Sequence, residues 1–343
     1  MGGKALTKYG VHTERKDTNE FLRLGKAIQE TVSYGFLRMH SVSVETTVVT
    51  CYRTKPDHGD LDMLVKITPD VVKANIDYRK FIDLMFLPKA IHNNGGVFSF
   101  DHQDFQIDFI PIKEEKWEVA QTYYSYDPLG NVMGKTFHKF NLSYGWDGLH
   151  YKYRNNHGTN SVNILLTTDP RKIFEFGGYD YDRYLKGFNT LEEIFEFAIN
   201  TTYFDAEILQ MDNLKSIDRK RNRKRGSYHL FLKYLEDNGI DKKYEFNKDK
   251  DSYISAIDLF FPEAKLMEKL EELKQKDLKD FYLAEKFNGN LVMTWLPELK
   301  GKELGQAIKK FKDYFGDTYE TVVSCASQDE LRQIFMDVYN GKD

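Results

Sequence analysis

The sequence predicts an α+β protein: a small mixed sheet with helices, followed by a mainly helical C-terminal region. Three observations carry that expectation. The stretch "VSVETTVVTCYR", residues 42–53, is dense in β-branched side chains, which suit a pleated strand. The stretch "GGVFSFDHQDFQIDFIPI", residues 95–112, holds two alternating apolar segments around Asp101, His102 and Gln103, the pattern of a hairpin. From about residue 169 onward the apolar spacing becomes predominantly helical.

Each element has a local reason. Residues 17–36, "DTNEFLRLGKAIQETVSYGF", have a polar start and then an apolar stripe of Phe21, Leu22, Leu24, Ile28 and Val32, which predicts a helix. The turn "TKPDHG" feeds an apolar run beginning at Asp60, so this run and the strand before it should pair as a hairpin. Residues 70–86 are helical by period, and the hairpin at 95–112 completes a compact α+β unit. Further on, "NTLEEIFEFAINT" has a capping signal at Asn189 or Thr190, with acids in its first turn. "GSYHLFLKYLEDNG" stops at Gly239, and residues 262–287 form a long charged amphipathic segment. The change of pattern near residues 165–175 divides the chain into 1–168 and 169–343.

Composition bounds the class. A chain of 343 residues with 41% hydrophobic content can bury a real core and has the length of two or three domains. Aromatic content of 15% excludes a disordered chain. The net charge of −4 gives no global signal for nucleic acid, so a basic surface has to be local. Cys51 and Cys325 are too few for a disulfide framework or a thiolate zinc site, which suits a reducing compartment. The opening "MGGKALTKYG" lacks the apolar core of a signal peptide, and no run of 18 or more apolar residues follows. The expectation is a cytoplasmic protein with no membrane partner.

In "PDHGDLDMLVKI", residues 56–67, Asp60 and Asp62 stand two apart on a strand and project from one face, while Leu61 and Met63 turn to the other. Paired carboxylates repel unless a cation sits between them, and a hard divalent ion takes their oxygens as ligands. An Asp-x-Asp pair also ends solvent-exposed strands, so context decides. Asp108, between Ile107 and Phe109, is a third acid on a second expected strand of the same small sheet. Convergence of the three would make a site for two divalent ions, which suits phosphoryl transfer.

These residues carry a resemblance. "TCYRTKPDHGDLDMLV" resembles the metal-binding segment of the DNA polymerase β-like nucleotidyltransferases, where Gly-Ser, an aromatic, arginines and a short turn lead into Gly-Asp-x-Asp and an apolar strand. "FQIDFIPI" resembles the strand bearing that family's third carboxylate. "LGNVMGKTFHKFNLSYGWDGL", residues 129–149, is similar in arrangement to the segment that follows it in family X polymerases. The resemblance covers roughly residues 18–155 and implies the family's catalytic domain fold over 1–168. It also implies two Mg²⁺ or Mn²⁺ ions. Asp60 and Asp62 would bridge both ions, Asp108 would ligate the one that activates the attacking hydroxyl, and Gly59, Thr50, Cys51 and Arg53 would meet the nucleotide. The departure is at Thr50-Cys51, where the family has Gly-Ser. Thr50 does not permit the close backbone approach of glycine, and Cys51 is a weaker donor than serine or an ordinary buried cysteine.

Outside those motifs, Lys135 and His138 share a face of a short expected helix after Gly130-Asn131, aimed at a phosphate or base, or else simply solvated. Trp146 could stack on a base or sit in a core. In "DRKRNRKRG", Arg219, Lys220, Arg221, Arg223, Lys224 and Arg225 make the local basic patch that a phosphate backbone favours, and Tyr228, Phe231 and Tyr234 after it are read as core. "LKGKELGQAIKKFKDYF", residues 299–315, faintly resembles a Gly-x-x-x-Gly segment of tRNA nucleotidyltransferases and poly(A) polymerases, or is a lysine-rich surface helix. The expectation is a metal-dependent nucleotidyltransferase. It would add a nucleoside monophosphate from an NTP or dNTP to the 3′-hydroxyl of DNA or RNA, tRNA included, gripped by a helical body at 169–343. The alternatives are transfer to a small-molecule or protein hydroxyl, and a catalytically degenerate nucleic-acid-binding protein.

Overall fold

The computed structural model describes residues 3–155 and 161–341. The first helix, α1 (Thr18–His40), is capped by the Asp17 carboxylate, which accepts from the Glu20 amide, and it ends at Ser41 in the left-handed region. Strands β1 (Thr46–Val48) and β2 (Asp60–Ile67) pair antiparallel with Thr46 opposite Val65, as the hairpin expectation requires. Only three residues of 42–53 stay in the strand. Beyond Val49 the backbone leaves the sheet, and the Arg53 and Thr54 amides donate instead to the carbonyls of Phe188 and Asn189.

The expected helix at 70–86 is two helices, Pro69–Lys73 and α2 (Tyr78–Phe86). Asn75 at φ +47 breaks the run, and Asp77 caps the restart. Strands β3 (Ile91–Asn94), β4 (Val97–His102) and β5 (Phe105–Lys113) follow. The β4–β5 turn is at Gln103-Asp104, both at positive φ, the combination a type I′ hairpin turn demands. The sheet order is β1-β2-β5-β4-β3, with β2 and β5 parallel and the other neighbours antiparallel, a small mixed sheet.

Alternation along β2 and β5 sorts the side chains. Leu61, Met63, Val65, Phe105, Ile107 and Phe109 pack on Phe21, Leu24, Ile28 and Val32 of α1 and Phe81 of α2. The opposite face carries Asp60, Asp62 and Asp108, then Leu64, Ile110 and Ile112 under Trp117 and Ala120 of α3 (Trp117–Tyr124). Next come α4 (Leu129–Lys139) and a three-stranded sheet of β6 (Leu142–Gly145), β7 (Gly148–Arg154) and β8 (Ser161–Thr167), in the order β8-β7-β6. Helices α5 (Leu191–Ile199), α6 (Ser216–Asn222) and α7 (Gly226–Asp237) complete the region that frames the site.

The compact units divide at Leu266, whereas the change of sequence pattern was near 168. Residues 169–266 belong to the first unit: the Tyr184 hydroxyl donates to the Thr122 carbonyl, Phe176 lies 6.4 Å from Phe137, and Tyr203 meets Phe140 at 5.0 Å. The second unit comprises Arg154–Ser161 and Met267–Asp343, and its part from Met267 onward is helical around its own core of Phe287, Phe311, Leu331 and Phe335. Its helix Gly301–Phe315 carries the lysine-rich segment, where Lys310 donates to the Tyr339 carbonyl and Lys312 lies over the Tyr319 ring. Among the described residues no helix is long and apolar enough to cross a membrane.

Candidate active site

The parallel ladder between β2 and β5 sets Asp62 opposite Asp108 and Asp60 opposite Gln106. The three acids therefore share the face turned away from α1 and α2. Burial pushes the Asp62 carboxyl well above its ordinary range, and the charges of Asp60 and Asp108 push the same way. The contact between the two carboxyls raises Asp62 further and lowers Asp108. Burial raises Asp108 to about 6, opposed by hydrogen bonds from Ser99 and Gln106, while the Asp60 charge adds to the rise. Gln106 Nε2 donates to both Asp108 oxygens, at 3.0 and 3.2 Å, and Gln106 Oε1 accepts from the Ala5 amide at 2.9 Å. Asp60 is raised by burial and held back by the Gly3 amide, which donates to Oδ2 at 3.1 Å, and by Lys55.

Asp60 and Asp62 line a cleft of about 560 Å³, within the range of small-ligand pockets, and Asp108 stands behind them. Thr50, Cys51 and Gly59 line it too, so five of the expected residues meet there. His58 orders the turn: its ring stacks on Phe21 at 3.7 Å, Nε2 lies 3.3 Å from Thr18 Oγ1, and Nδ1 lies 3.8 Å from Cys51 Sγ. Burial lowers His58 to about 4, so the ring is neutral, and burial raises the Cys51 thiol, so sulfur is no thiolate nucleophile at neutral pH.

Across the cleft stand Arg221, Lys224 and Arg225, three of the six basic residues of the run. Arg225 also pairs with Asp127 at 3.7 Å. Arg219 instead donates to the carbonyls of Asp212 and Leu214, and Lys220 and Arg223 are exposed outside the cleft. Trp146, 39% exposed, lies on the cleft wall with Lys116 Nζ 5.4 Å from its ring. Tyr228 and Phe231 are buried in the core.

Three expected nucleotide contacts are not made at this cleft. Arg53 is turned away, its guanidinium donating to Asn189 Oδ1 at 2.9 Å and the Lys186 carbonyl at 2.7 Å, because the backbone at 53–54 follows the 188–189 loop. Lys135 is buried in an ion pair with Asp218 at 2.9 Å, and His138 lies one turn further along α4. Both line a different pocket, because α4 points only its first turn at the acids.

The pattern reading missed Lys55, Arg15, Tyr124, Tyr126, Asn131 and Ser227, all on the cleft wall. Lys55 is the nearby cation whose charge lowers both Asp60 and Asp62. Tyr124 lies close enough for the Asp62 charge to add to burial in raising its phenol. Two pairs gave a usable signal: Gly130-Asn131 and Gly226-Ser227 each open a helix, and both helix starts face the cleft, the Asn131 amide being bonded to the Pro128 carbonyl.

No family model matches the chain, and no curated protein matches it. Among solved structures it is similar to Leishmania infantum polymerase beta in a ternary P/T complex, at 13% identity over 49% of this chain and 74% of that one, with a TM-score of 0.37.

The fit of the acids to a divalent cation is one of chemistry. Three oxygen donors crowd one face, and their pKa values are raised first by burial, with the Asp60 charge adding at Asp62 and Asp108, a cost that a countercharge would relieve. Among the described residues no group of three or more His, Cys, Asp or Glu side chains is set at the spacing of a closed metal site. Internal donors hold Asp60 and Asp108 instead.

Proposed function

We propose that the chain is a metal-dependent nucleotidyltransferase that joins a nucleoside monophosphate, taken from an NTP or dNTP, to a nucleic-acid 3′-hydroxyl with release of pyrophosphate. The observation that carries this is the pairing of Asp62 with Asp108, Asp60 two residues before, beside a cleft that Asp60 and Asp62 line together with Arg221, Lys224 and Arg225. Two Mg²⁺ or Mn²⁺ ions held by Asp60, Asp62 and Asp108 would neutralise charge on the transferring phosphoryl group and lower the pKa of the attacking hydroxyl.

The chain's own groups divide the remaining work. Arg221, Lys224 and Arg225 hold phosphate oxygens, with the guanidiniums offering planar forks and Lys224 a point charge. The first-turn amides of α7 add donors to the same side. Tyr124, Tyr126 and Trp146 supply ring faces for the base and keep water from the acids. Gln106 positions Asp108 through its two hydrogen bonds.

A second reading is a nucleic-acid-binding protein with a degenerate centre. It draws on the diversion of Arg53 to the 186–189 loop and on the carboxylates being held by internal donors. One assay separates the two. The protein is incubated with labelled single-stranded and primed DNA, RNA and tRNA, each triphosphate separately, with Mg²⁺ or Mn²⁺. Extension that disappears in Asp60→Asn supports the enzyme. Salt-sensitive binding without extension under any condition leaves the second reading, and transfer that needs no polynucleotide would redirect the acceptor to a small molecule or protein.

A further inference from the structure

The pocket that receives Lys135 and His138 has a composition the acid cleft does not explain. It measures about 560 Å³ and is lined by five lysines, Lys135, Lys139, Lys215, Lys248 and Lys250, against three carboxylates, Asp205, Glu207 and Asp218. The chain as a whole is net negative, at −4, so this excess of cations runs against its average. The carboxylates are already engaged. Asp218 pairs with Lys135 at 2.9 Å, Glu207 pairs at 2.8 Å with Lys243 from outside the lining, and Asp205 accepts from the Glu207 amide at 2.9 Å. His138 adds no charge, since burial lowers it to about 4.

The same pocket carries an aromatic wall. Tyr244 and Phe246 line it with rings 4.7 Å apart and a 62° interplanar angle, and Lys139 Nζ lies 5.9 Å from the centre of the Phe246 ring. These rings sit on an irregular segment that is nonetheless tied down: the Lys242 carbonyl accepts from the Ala206 amide, Lys242 Nζ donates to the Thr201 carbonyl, and the Asn247 amide donates to the Tyr253 hydroxyl. A fixed loop presenting two partly exposed rings beside cations, in a near-neutral protein, is built to hold a flat group that carries negative charge.

We infer that this pocket is a second binding site for a nucleotide, the base against Tyr244 and Phe246 and the phosphate among Lys139, Lys215 and Lys248. The ligand is either a free nucleotide or one unit of a single strand. The second source is geometrically reasonable. Asn131 opens α4 at the acid cleft and His138 lies in this pocket, seven residues and therefore about 10 Å along the helix. Helix α6 joins the two sites in the same way, with Lys215 just before it at the pocket and Arg221 at the cleft.

Photo-crosslinking of the full-length protein tests the assignment. The probes are 8-azido-ATP and a single-stranded 12-mer carrying 5-iodouridine, with the modified peptides identified by mass spectrometry. Crosslinks to Tyr244 or Phe246 are expected, from the free nucleotide, the strand or both, and which probe reacts tells the source. Phe246→Ala should weaken binding of the reacting probe about tenfold. Lys215→Glu with Lys248→Glu, two exposed positions whose change spares the core, should weaken it by a similar factor and, for the strand, lower the salt slope by about 1.4. Crosslinks confined to acid-cleft peptides, with the double variant binding both probes like the native protein, would overturn the inference. Asp60→Asn keeps the pocket intact, so loss of transfer in that variant with retained crosslinks at residues 244–246 separates this site from the proposed activity.

Discussion

The proton on the acid pair gives a stability signature that can be worked from the structure. Asp108 titrates at about 6 in the fold, against an ordinary value of 3.8. A carboxyl whose folded pKa is raised binds more protons in the native state between those two values, so stability falls as pH rises through that window and is level above it. The shift of about two units corresponds to roughly 3 kcal/mol at most, and coupling to Asp62 spreads it over the pair. Asp108→Asn removes a charge while keeping an acceptor and adding a donor. Followed by tryptophan fluorescence in EDTA, where Trp117 reports on the acid face, the native first unit should lose stability between pH 4 and pH 6. The variant should lose much less, and at pH 8 it should melt roughly 6–10 °C higher. Adding Mg²⁺ or Mn²⁺ at pH 8 should then raise the native melting temperature and leave the variant unmoved, since binding only to the folded state stabilises by mass action. A variant that melts lower than the native protein at pH 8, or a native protein flat from pH 4 to 6, would refute the account of a repulsive pair.

Asp60→Asn should leave the circular dichroism spectrum unchanged and abolish metal-dependent nucleotide transfer; undiminished turnover would discard the assignment. Gly3→Ala should destabilise the first unit by about 1–3 kcal/mol in denaturant titration, because Gly3 is at φ +82 and an added Cβ would lie 2.2 Å from the Gly59 carbonyl oxygen. Lys135→Met should cost about 3 kcal/mol by leaving the Asp218 charge without its partner, and the double change with Asp218→Asn should recover most of it in a double-mutant cycle. Arg221→Glu with Lys224→Glu should weaken single-stranded oligonucleotide binding and lower the slope of log K against log salt by about 1.4, read by fluorescence anisotropy.

The parts legible in the sequence were those set by local periodicity. Alternation in β2 and β5 put Asp60, Asp62 and Asp108 on one face, and the parallel register then brought Asp62 opposite Asp108. Helix α1 and the β4–β5 hairpin followed from stripes and alternation in the same way. The misreadings came from long-range pairing. Nothing local to Arg53 announces that its backbone will bond to residues 188 and 189, which turns the guanidinium away from the acids. The face shared by Lys135 and His138 was correctly read as one face, but which cleft it meets depends on the packing of α6 and the loop at 244–246. The single helix expected at 70–86 failed at Asn75, a residue type that tolerates the left-handed conformation without declaring where it will use it.

The hydrogen bonds around the acids also bear on how a cation would be taken up. Three carboxylates without a countercharge are most stable when something else answers each of them: the Gly3 amide for Asp60, Gln106 and Ser99 for Asp108, and a proton for Asp62. The proton is the one of these that a divalent ion has to displace outright, since Asp62 must offer a charged oxygen while the amide and amide-like donors can remain on the outer lone pairs. Cation uptake at a pH where Asp62 still carries its proton should therefore release protons, and fewer in Asp62→Asn. Titration calorimetry of Mn²⁺ in buffers of different ionisation enthalpy measures that number directly. Heats that do not depend on the buffer would mean that Asp62 is already ionised, and the account of a protonated Asp62 would then have to be abandoned.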